Sequence, residues 1–224
     1  QAGSAVESLL RIFDRTHGGF GGAPKFPQPS FAELLLEARD RVDEGPRRAI
    51  DEAVRRTLDR MAVGGLRDHV GGGFHRYCVD ATWTVPHFEK MLYDNALLAR
   101  LYARASRVYD DAFYSDVARD TFEYVGREMT SGEGGFYCAQ DADTDGHEGA
   151  TYLWTAGQLR AALDAEDADL AIRLFGVERG PNFRDPHHPD DEPANVLRLD
   201  DRPGTLAERF SMSARRWRAS STLI

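Results

Sequence analysis

Three glycine-rich segments of the sequence carry many side chains that could bind a small polar molecule. Aromatic residues alternate there with ionisable and amide groups, as in pockets where rings form a platform and polar groups fix the ligand's orientation. The candidate binding residues are Lys25, Phe26, His75, Arg76, Tyr77, Trp83, Asn95 and Gln140. For four further aromatics, packing between structural elements is the favoured interpretation: Phe20, Phe74, Phe136 and Tyr137.

Acidic residues in the same segments could serve as a catalytic acid and base. The candidates are Glu89, Asp94, Asp141 and Asp143, with His87 beside them. In glycosidic chemistry one carboxyl group protonates the leaving oxygen and a second assists at the sugar carbon. The alternative is structural: a solvated helix start at residues 87–94 and an ordinary acidic turn at 141–145.

His87, Glu89 and Asp94 lie in a helix that is predicted over residues 87–107, with Pro86 just before it. His87, Lys90 and Asp94 would then share one face, because 3.6 residues make one turn. The rest of this helix is apolar nearly all round, which indicates an inner position. A polar start on a buried helix is typical of a functional site.

The acidic turn also imitates part of a calcium-binding loop. Asp141, Asp143, Asp145 and Gly146 match positions 1, 3, 5 and 6 of an EF-hand. The twelfth position is Tyr152, which cannot supply the bidentate carboxylate. We therefore predict no metal and no cofactor.

Two other clusters, one of histidines and one of basic residues, are weaker evidence for a functional site. His187 and His188 lie in a Pro- and Asp-rich stretch, which favours a solvated loop. The basic residues of 215–218 form one small cluster in an acidic chain, which is weak evidence for nucleic-acid binding.

The elements that must position these residues are mostly helices, because apolar residues recur at helical spacing and β-branched alternation is rare. Ser30 and Glu33 form a capping box that opens one helix, and Gly45 and Pro46 end it. The other predicted helices cover 4–13, a region around 50–61, 87–107, 112–128, 155–164 (with a second capping box, Thr155 and Gln158), 167–175 and 205–210.

Self-similarity appears in the long connections. Gly-Phe pairs at 19–20, 73–74 and 135–136 each end a glycine-rich loop, and each loop precedes a helical hairpin. Hairpins of about 50 to 60 residues bury their apolar faces by stacking, which gives a curved array or a closed toroid. All the long loops would then emerge at one end, so residues after the three Gly-Phe pairs should meet. Residues 1–177 form this array, and 178–224 a loop-rich extension of the same domain.

Composition and charge disfavour several classes of function. The chain has 224 residues, 28 Lys+Arg against 37 Asp+Glu and a net charge of -9. That acidic balance disfavours nucleic acid and anionic lipid, and no apolar run is long enough for a membrane span. Cys78 and Cys138 have no metal-ligand spacing, which indicates free thiols in a reducing, cytoplasmic setting. Because residue 1 is Gln, we expect a fragment or a processed product.

Three motifs carry a family resemblance. GGFGGAPKFPQP (18–29), DHVGGGFHRYCVDATWTVPHFEKMLYDNALLARLY (68–102) and GGFYCAQDADTDGHEGATYLWT (134–155) closely resemble the thioredoxin-domain-containing family that includes spermatogenesis-associated protein 20. The resemblance implies an N-terminal thioredoxin-like domain followed by an (α/α)6 toroid similar to six-hairpin glycosidases and N-acylglucosamine 2-epimerases. This chain resembles the first part of that toroid. Cys78 and Cys138 stand where the family usually has Ser, and Asp145 where Glu is more common.

We therefore predict an all-α fold, an incomplete (α/α)6 toroid of about three helical hairpins. The predicted function is carbohydrate processing, glycosidase-like or epimerase-like, or carbohydrate binding, at an aromatic-lined pocket at the loop end. The alternative is a non-catalytic scaffold that partners a thioredoxin-like domain. The expected partners are a small ligand, the thioredoxin-like domain and the rest of the toroid. Three hairpins cannot close a ring, so we also expect self-association.

Overall fold

The computed structural model describes residues 2–210, and helices form its body. The α-helices are α1 (Ala2–Ile12), α2 (Pro29–Ala38), α3 (Glu44–Val63), α4 (Leu92–Tyr109), α5 (Ala112–Glu128), α6 (Ala156–Ala162), α7 (Ala165–Leu174) and α8 (Pro203–Arg209), with 3-10 turns at Arg39–Arg41 and Val177–Arg179. Two-residue strands pair antiparallel: β1 (Tyr77–Cys78) with β2 (Pro86–His87), β3 (Lys90–Met91) with β4 (Ala139–Gln140), β5 (Asp143–Thr144) with β6 (His147–Glu148), and β7 (Leu153–Trp154) with β8 (Asn195–Val196).

The largest hydrophobic core is formed by side chains from the five helices α1 to α5. α2 packs against both α3 and α4, and α4 packs along α5, so two antiparallel hairpins stack side by side. Ile50, Val54 and Leu58 of α3 are fully buried, as the helical spacing predicts. Each such side chain contributes roughly 1.5–3 kcal/mol by leaving water. Tyr102 of α4 is also fully buried, and its hydroxyl donates to the Leu58 carbonyl at 2.7 Å.

The predicted start of α2 is wrong. Pro29 is the first helical residue, and the preceding Gln28 has a left-handed backbone with no side-chain cap. Proline suits the first helical position because its fixed φ is already helical and it has no N–H to leave unpaired. The Ser30–Glu33 capping box therefore does not form. Glu33 instead accepts from Arg104 of α4 at 2.7 Å.

Gly45 and Pro46 do not end α2 either. They lie in the first turn of α3, where a proline is tolerated because first-turn N–H groups have no helical acceptor. Elsewhere the helix signals are confirmed: α5 spans Ala112–Glu128 as predicted, and Thr155 with Gln158 forms the capping box that opens α6.

The largest departure from the sequence prediction concerns residues 86–91, which are extended rather than helical. Pro86 and His87 pair with β1, and Lys90 and Met91 pair with β4. The Glu89 carbonyl accepts the Arg76 amide at 2.8 Å. The helix therefore begins only at Leu92, and the predicted shared face of His87, Lys90 and Asp94 does not form. Buried backbone groups need partners, and the neighbouring loops supply them in the extended form.

The internal repeat is confirmed at the level of backbone hydrogen bonds. Isolated bridges close the three glycine loops, pairing Phe13 with Phe20, Arg67 with Phe74, and Thr130 with Phe136. Gly18 has φ 73° and Gly72 has φ 81°, at matching places in the first two loops. A side chain at Gly18 would also meet the Arg56 carbonyl oxygen at 2.8 Å, so glycine is required there.

The loops converge as the repeat predicts. Lys25, from the first loop, exchanges two backbone hydrogen bonds with Cys78, from the second, at 2.7 and 2.9 Å. Lys90 and Met91 of β3 pair with β4 of the third loop. Segments that are distant in sequence are therefore held side by side at one end of the array.

The third hairpin is shorter and is fastened differently. α6 and α7 pack on each other, and Leu174 of α7 joins a small cluster with Val63 of α3 and Leu206 of α8. The segment that follows is tied to the array by charge: the Arg202 guanidinium donates to Asp59 at 3.0 Å and to Asp111 at 2.8 Å.

No helix within 2–210 is long and apolar enough to cross a membrane. The basic cluster of 215–218 lies outside the described residues.

Both cysteines are free, with Cys78 buried and Cys138 exposed. Burial also raises the pKa of the Cys78 thiol, which keeps it protonated. We expect titration of the native protein to find one fast-reacting thiol per chain, and titration of unreduced, denatured protein to find two. Cys138→Ser should remove the fast thiol. A count near zero in denaturant would show instead that the cysteines are oxidised.

Apolar side chains remain exposed on the stacked helices: Leu34 at 39%, Leu97 at 37% and Phe122 at 55%. Exposed apolar side chains of this kind favour association. We expect sedimentation at micromolar concentration to show self-association, which Leu97→Glu and Phe122→Glu together should reduce. A monodisperse monomer with cooperative unfolding would contradict the expectation of an open, uncovered face.

Candidate functional site

Three aromatic rings line up where the first two loops meet. Phe26 stacks on Tyr77 of β1, with ring centroids 4.6 Å apart and an interplanar angle of 26°. Tyr77 lies opposite His87 of β2, and their rings are 5.2 Å apart. Phe26 is 39% exposed. The β1–β2 pairing thus builds an accessible ring surface from two predicted binding residues, Phe26 and Tyr77, and one predicted catalytic residue, His87.

Charged groups lie next to these rings, from residues just outside β1 and β2 and from β6. The Arg76 guanidinium donates to Glu89 Oε2 at 2.9 Å, and His87 Nε2 lies 3.8 Å from the same carboxylate. His87 Nδ1 and Glu148 Oε1 are 2.9 Å apart. Because a carboxylate can only accept, Nδ1 carries the proton in that bond. The imidazole is therefore oriented with Nε2 towards Glu89.

Asp94, in the first turn of α4, is the candidate acid with a distinct environment. Its Oδ2 is buried and has no hydrogen-bond partner among residues 2–210. Burial raises the pKa of Asp94 to about 6; the Glu89 charge adds to this shift and the Arg76 charge opposes it. A carboxyl group with such a pKa is partly protonated near neutral pH, as a general acid must be. We call Phe26, Arg76, Tyr77, His87, Glu89, Asp94 and Glu148 the loop-end cluster.

Glu148 is a member that the sequence reasoning missed. It lies in a hairpin whose two turn residues, Asp145 and Gly146, have φ of 54° and 83°. Asp-Gly at such a turn is the strongest short-range hairpin signal. The acidic turn predicted at 141–145 stops before Glu148, so the strand that carries Glu148 was not predicted.

The same hairpin accounts for the EF-hand-like spacing. Asp143 pairs with Glu148 across β5 and β6, so its side chain lies beside the cluster. Asp141 accepts the Asp143 amide at 3.1 Å and closes a turn before the hairpin. Both aspartates are exposed. The extended backbone replaces the calcium-loop conformation because residues 143 and 144 are paired.

Several predicted binding residues lie in the core instead. Trp83 is fully buried, and its indole N–H donates to the His17 carbonyl at 3.1 Å, so it offers no face to a ligand. Asn95 is also fully buried, and its amide bonds the main chain of Phe74 at 2.7 and 3.0 Å. His75 Nδ1 lies 2.9 Å from the Phe88 carbonyl. Burial holds the pKa of His75 well below its usual range. These three residues fix the loops.

The remaining aromatics divide between core and surface. Phe20 and Phe74 are buried, as the packing interpretation expects, whereas Phe136 is 61% and Tyr137 55% exposed. Gln140 is exposed, and its amide oxygen accepts from the Tyr124 hydroxyl at 2.7 Å.

Lys25 has a structural part as well. Its side chain is fully buried, with Nζ 2.6 Å from Asp14 Oδ2 and 2.8 Å from the Gly18 carbonyl oxygen. Asp14 lies two residues after the end of α1, so one ammonium group ties the end of a helix to the loop that leaves it. The pKa of Asp14 is lowered to about 2; desolvation opposes this, and hydrogen bonds, first that of Lys25, outweigh it.

Lys90 repeats this arrangement one unit later. Its Nζ lies 2.7 Å from Asp68 Oδ2 and 2.8 Å from the Gly72 carbonyl oxygen, and its side chain is 1% exposed. The rings of Tyr124 and Tyr152 lie 4.5 and 4.8 Å from the same ammonium group. We call each such Lys–Asp–carbonyl arrangement a lysine staple.

A cleft of about 950 Å³ lies elsewhere, along α5. Its walls include Arg67, Asp120, Arg119 and Arg202, and no predicted site residue lines it. Arg67 and Asp120 are paired across it at 2.6 Å.

Comparison with solved structures identifies the class of fold. Cellobiose 2-epimerase from Spirochaeta thermophila is 23% identical with a TM-score of 0.51, covering 61% of this chain and 36% of the epimerase. A sugar epimerase from a ruminal bacterium is 14% identical with a TM-score of 0.52, over 78% of this chain and 48% of that one. The chain is an incomplete (α/α)6 toroid.

Several known proteins are similar to this chain in sequence. Human spermatogenesis-associated protein 20 is 38% identical over 92% of this chain, and the rat protein 37% over 95%. An uncharacterised protein from Caenorhabditis elegans, B0495.5, is 36% identical over 78%. The chain spans about 28% of the length of the human relative. No protein-family model matches the chain.

The lysine staples predict a test of stability. Lys90→Met should leave the Asp68 carboxylate buried without a cation, and Asp68→Asn should leave the ammonium without an anion. We expect each to lower the free energy of unfolding by about 3 kcal/mol at pH 7, measured with urea. Arg119→Met, which breaks a surface pair exposed by 59% and 58%, should change it by less than about 0.5 kcal/mol.

The same pair predicts a pH dependence. Burial opposes ionisation of Asp68, but the charge and the hydrogen bond of the Lys90 ammonium group outweigh it and lower the pKa of Asp68 to about 2. A depressed acid pKa adds stability above its unfolded value near 4 and loses it as pH falls towards 2. The gap between wild type and Asp68→Asn should therefore shrink from pH 5 to pH 2. A gap independent of pH would contradict the assigned pairing.

Proposed function

We propose that this chain is a carbohydrate-processing or carbohydrate-binding toroid domain whose ligand binds at the loop-end cluster. The observation that carries the proposal is Asp94, an acid with a pKa of about 6 whose buried Oδ2 has no partner in the described part of the chain and which lies close enough to Arg76 and Glu89 to feel their charges. Protein interiors rarely leave such a group unpaired without a functional reason. The fold shared with sugar epimerases adds support to a sugar as the ligand class.

The cluster has the parts that a sugar site needs. The stacked rings of Phe26 and Tyr77 present an apolar face to the C–H side of a sugar ring. Arg76 and Glu89 offer a donor and an acceptor for hydroxyl groups. Glu148 orients His87 towards the same space.

The proposed chemistry is proton transfer at a sugar. Asp94, in its protonated form, acts as the general acid and donates a proton. Glu89, together with His87, acts as the general base and accepts one. Both hydrolysis and epimerisation need one proton donor and one acceptor, and the epimerases that share the fold make epimerisation our first choice.

A scaffold is the second candidate, and a specific observation favours it. Glu89 and His87 are already paired with protein groups, and Lys25, His75, Trp83 and Asn95 hold the loops together. In this case the surface would dock a thioredoxin-like domain or the rest of the toroid in the longer protein. We also propose that the chain belongs to the family that includes spermatogenesis-associated protein 20. The two free cysteines support a cytoplasmic location, which we propose as well.

The test measures saccharide binding and turnover. We expect cellobiose, mannobiose or a monosaccharide to bind at millimolar concentration or below in saturation-transfer NMR and calorimetry. Tyr77→Ala should weaken binding about 3- to 10-fold by removing the ring platform. Phe122→Ala, which removes an exposed ring from α5, is the matched control and should bind like the wild type.

Substitution of the proposed acid, Asp94, distinguishes catalysis from binding. Asp94→Asn should keep binding but lose turnover, followed by polarimetry or chromatography of the sugars. Wild-type kcat should fall as pH rises through about 6, because the protonated acid disappears, and this limb should be missing in Asp94→Asn. Binding without turnover would leave only a binding domain. No saccharide binding, or equal loss in Tyr77→Ala and Phe122→Ala, would favour the scaffold.

A further inference from the structure

Two histidines and a carboxylate meet outside the loop-end cluster. His147 lies in β6, while Asp185 and His188 belong to the loop after the Val177–Arg179 turn. One ligand atom of each residue lies within 4.8 Å of one from each of the others. The rings of His147 and His188 have centroids 4.2 Å apart. Residues 41 positions apart in the chain are thus brought face to face.

Further carboxylate contacts hold these groups in place. His188 Nδ1 lies 2.9 Å from Asp185 Oδ2, and His147 Nδ1 lies 3.2 Å from Asp191 Oδ2. The other oxygen of Asp185 accepts the His187 amide at 2.8 Å, which orients the carboxylate. A carboxylate outside the ligand set, as Asp191 is here, fixes the histidine rings of metal sites.

We infer that His147, Asp185 and His188 form a binding site for a divalent transition-metal ion, with Zn²⁺ the best match. Two imidazoles and one carboxylate are a usual zinc ligand set, and they leave one position for water. Asp185 and Asp191 together offer two negative charges, which a divalent ion balances.

The geometry needs only small adjustments. Ligands of a tetrahedral zinc ion lie about 3.3 Å apart, so the three groups must close by about 1.5 Å at most from their present limit. The side chains of His147 and His188 are 46% and 37% exposed and can rotate, whereas that of Asp185 is 9% exposed and fixed.

The position of the site gives the ion a further effect. His147 precedes Glu148, and successive strand residues face opposite sides. Glu148 bonds His87 of the loop-end cluster, while His147 faces the loop of 185–191. A bound ion would clamp that loop to the hairpin that holds Glu148. Metal binding itself does not depend on the proposed carbohydrate function.

The test uses the untagged protein carrying Cys138→Ser, because an exposed thiol would also bind zinc. Calorimetry with Zn²⁺ should give one ion per chain with a micromolar or lower Kd. Co²⁺ should give the intense visible bands of a low-symmetry site. His147→Ala, Asp185→Asn and His188→Ala should each weaken binding at least 10-fold. His187→Ala, which changes the adjacent histidine outside the cluster, is the matched control.

Folding is checked separately from binding. Far-UV circular dichroism and thermal unfolding without metal should be unchanged in His188→Gln, which keeps a polar side chain of similar length. The inference is overturned if a His147→Ala/His188→Ala double variant binds Zn²⁺ as the wild type does, if His187→Ala loses as much affinity as His188→Ala, or if the folded starting protein binds no ion.

Discussion

The loop end of this toroid depends on the buried lysine staple. Lys25 and Lys90 each bind an aspartate in the loop that follows a helix and a glycine carbonyl four residues later, at 2.6 to 2.8 Å. A buried ammonium group is tolerated only when it is paired and hydrogen-bonded, so each staple fixes its loop in one conformation. Both lysines also pair through their backbones with the next loop. One residue thus closes its own loop and docks the following one.

This docking explains why the polar segment before α4 is not a helix. Residues 86–91 lie between β1 and β4, and their amides and carbonyls complete the hydrogen bonds of β1 in the same loop and of β4 in the third loop. The extended form also turns Tyr77, His87 and Glu89 towards one surface. Loops are where function concentrates on a rigid scaffold, and here the scaffold is built partly from the loops themselves.

The site therefore combines rigid support with a few accessible groups. Trp83, His75 and Asn95 are buried and bonded to main chain, and they carry no free face. Asp94 differs from them, because burial raises its pKa and one of its oxygens has no hydrogen-bond partner within residues 2–210. Beyond Glu148, the same hairpin presents His147 to a second cluster. Two chemically distinct surfaces thus share the short strand β6.

Sequence alone determined the helical class, the repeat of glycine loops and the convergence of those loops, because helical periodicity and positive-φ glycines are local properties. It also selected Arg76, Tyr77, His87, Glu89 and Asp94. Only the tertiary structure decided that Trp83 and Lys25 are core, that 86–91 is extended and that Glu148 bonds His87. Burial and strand pairing depend on partners far along the chain, so neither residue type nor spacing could reveal them.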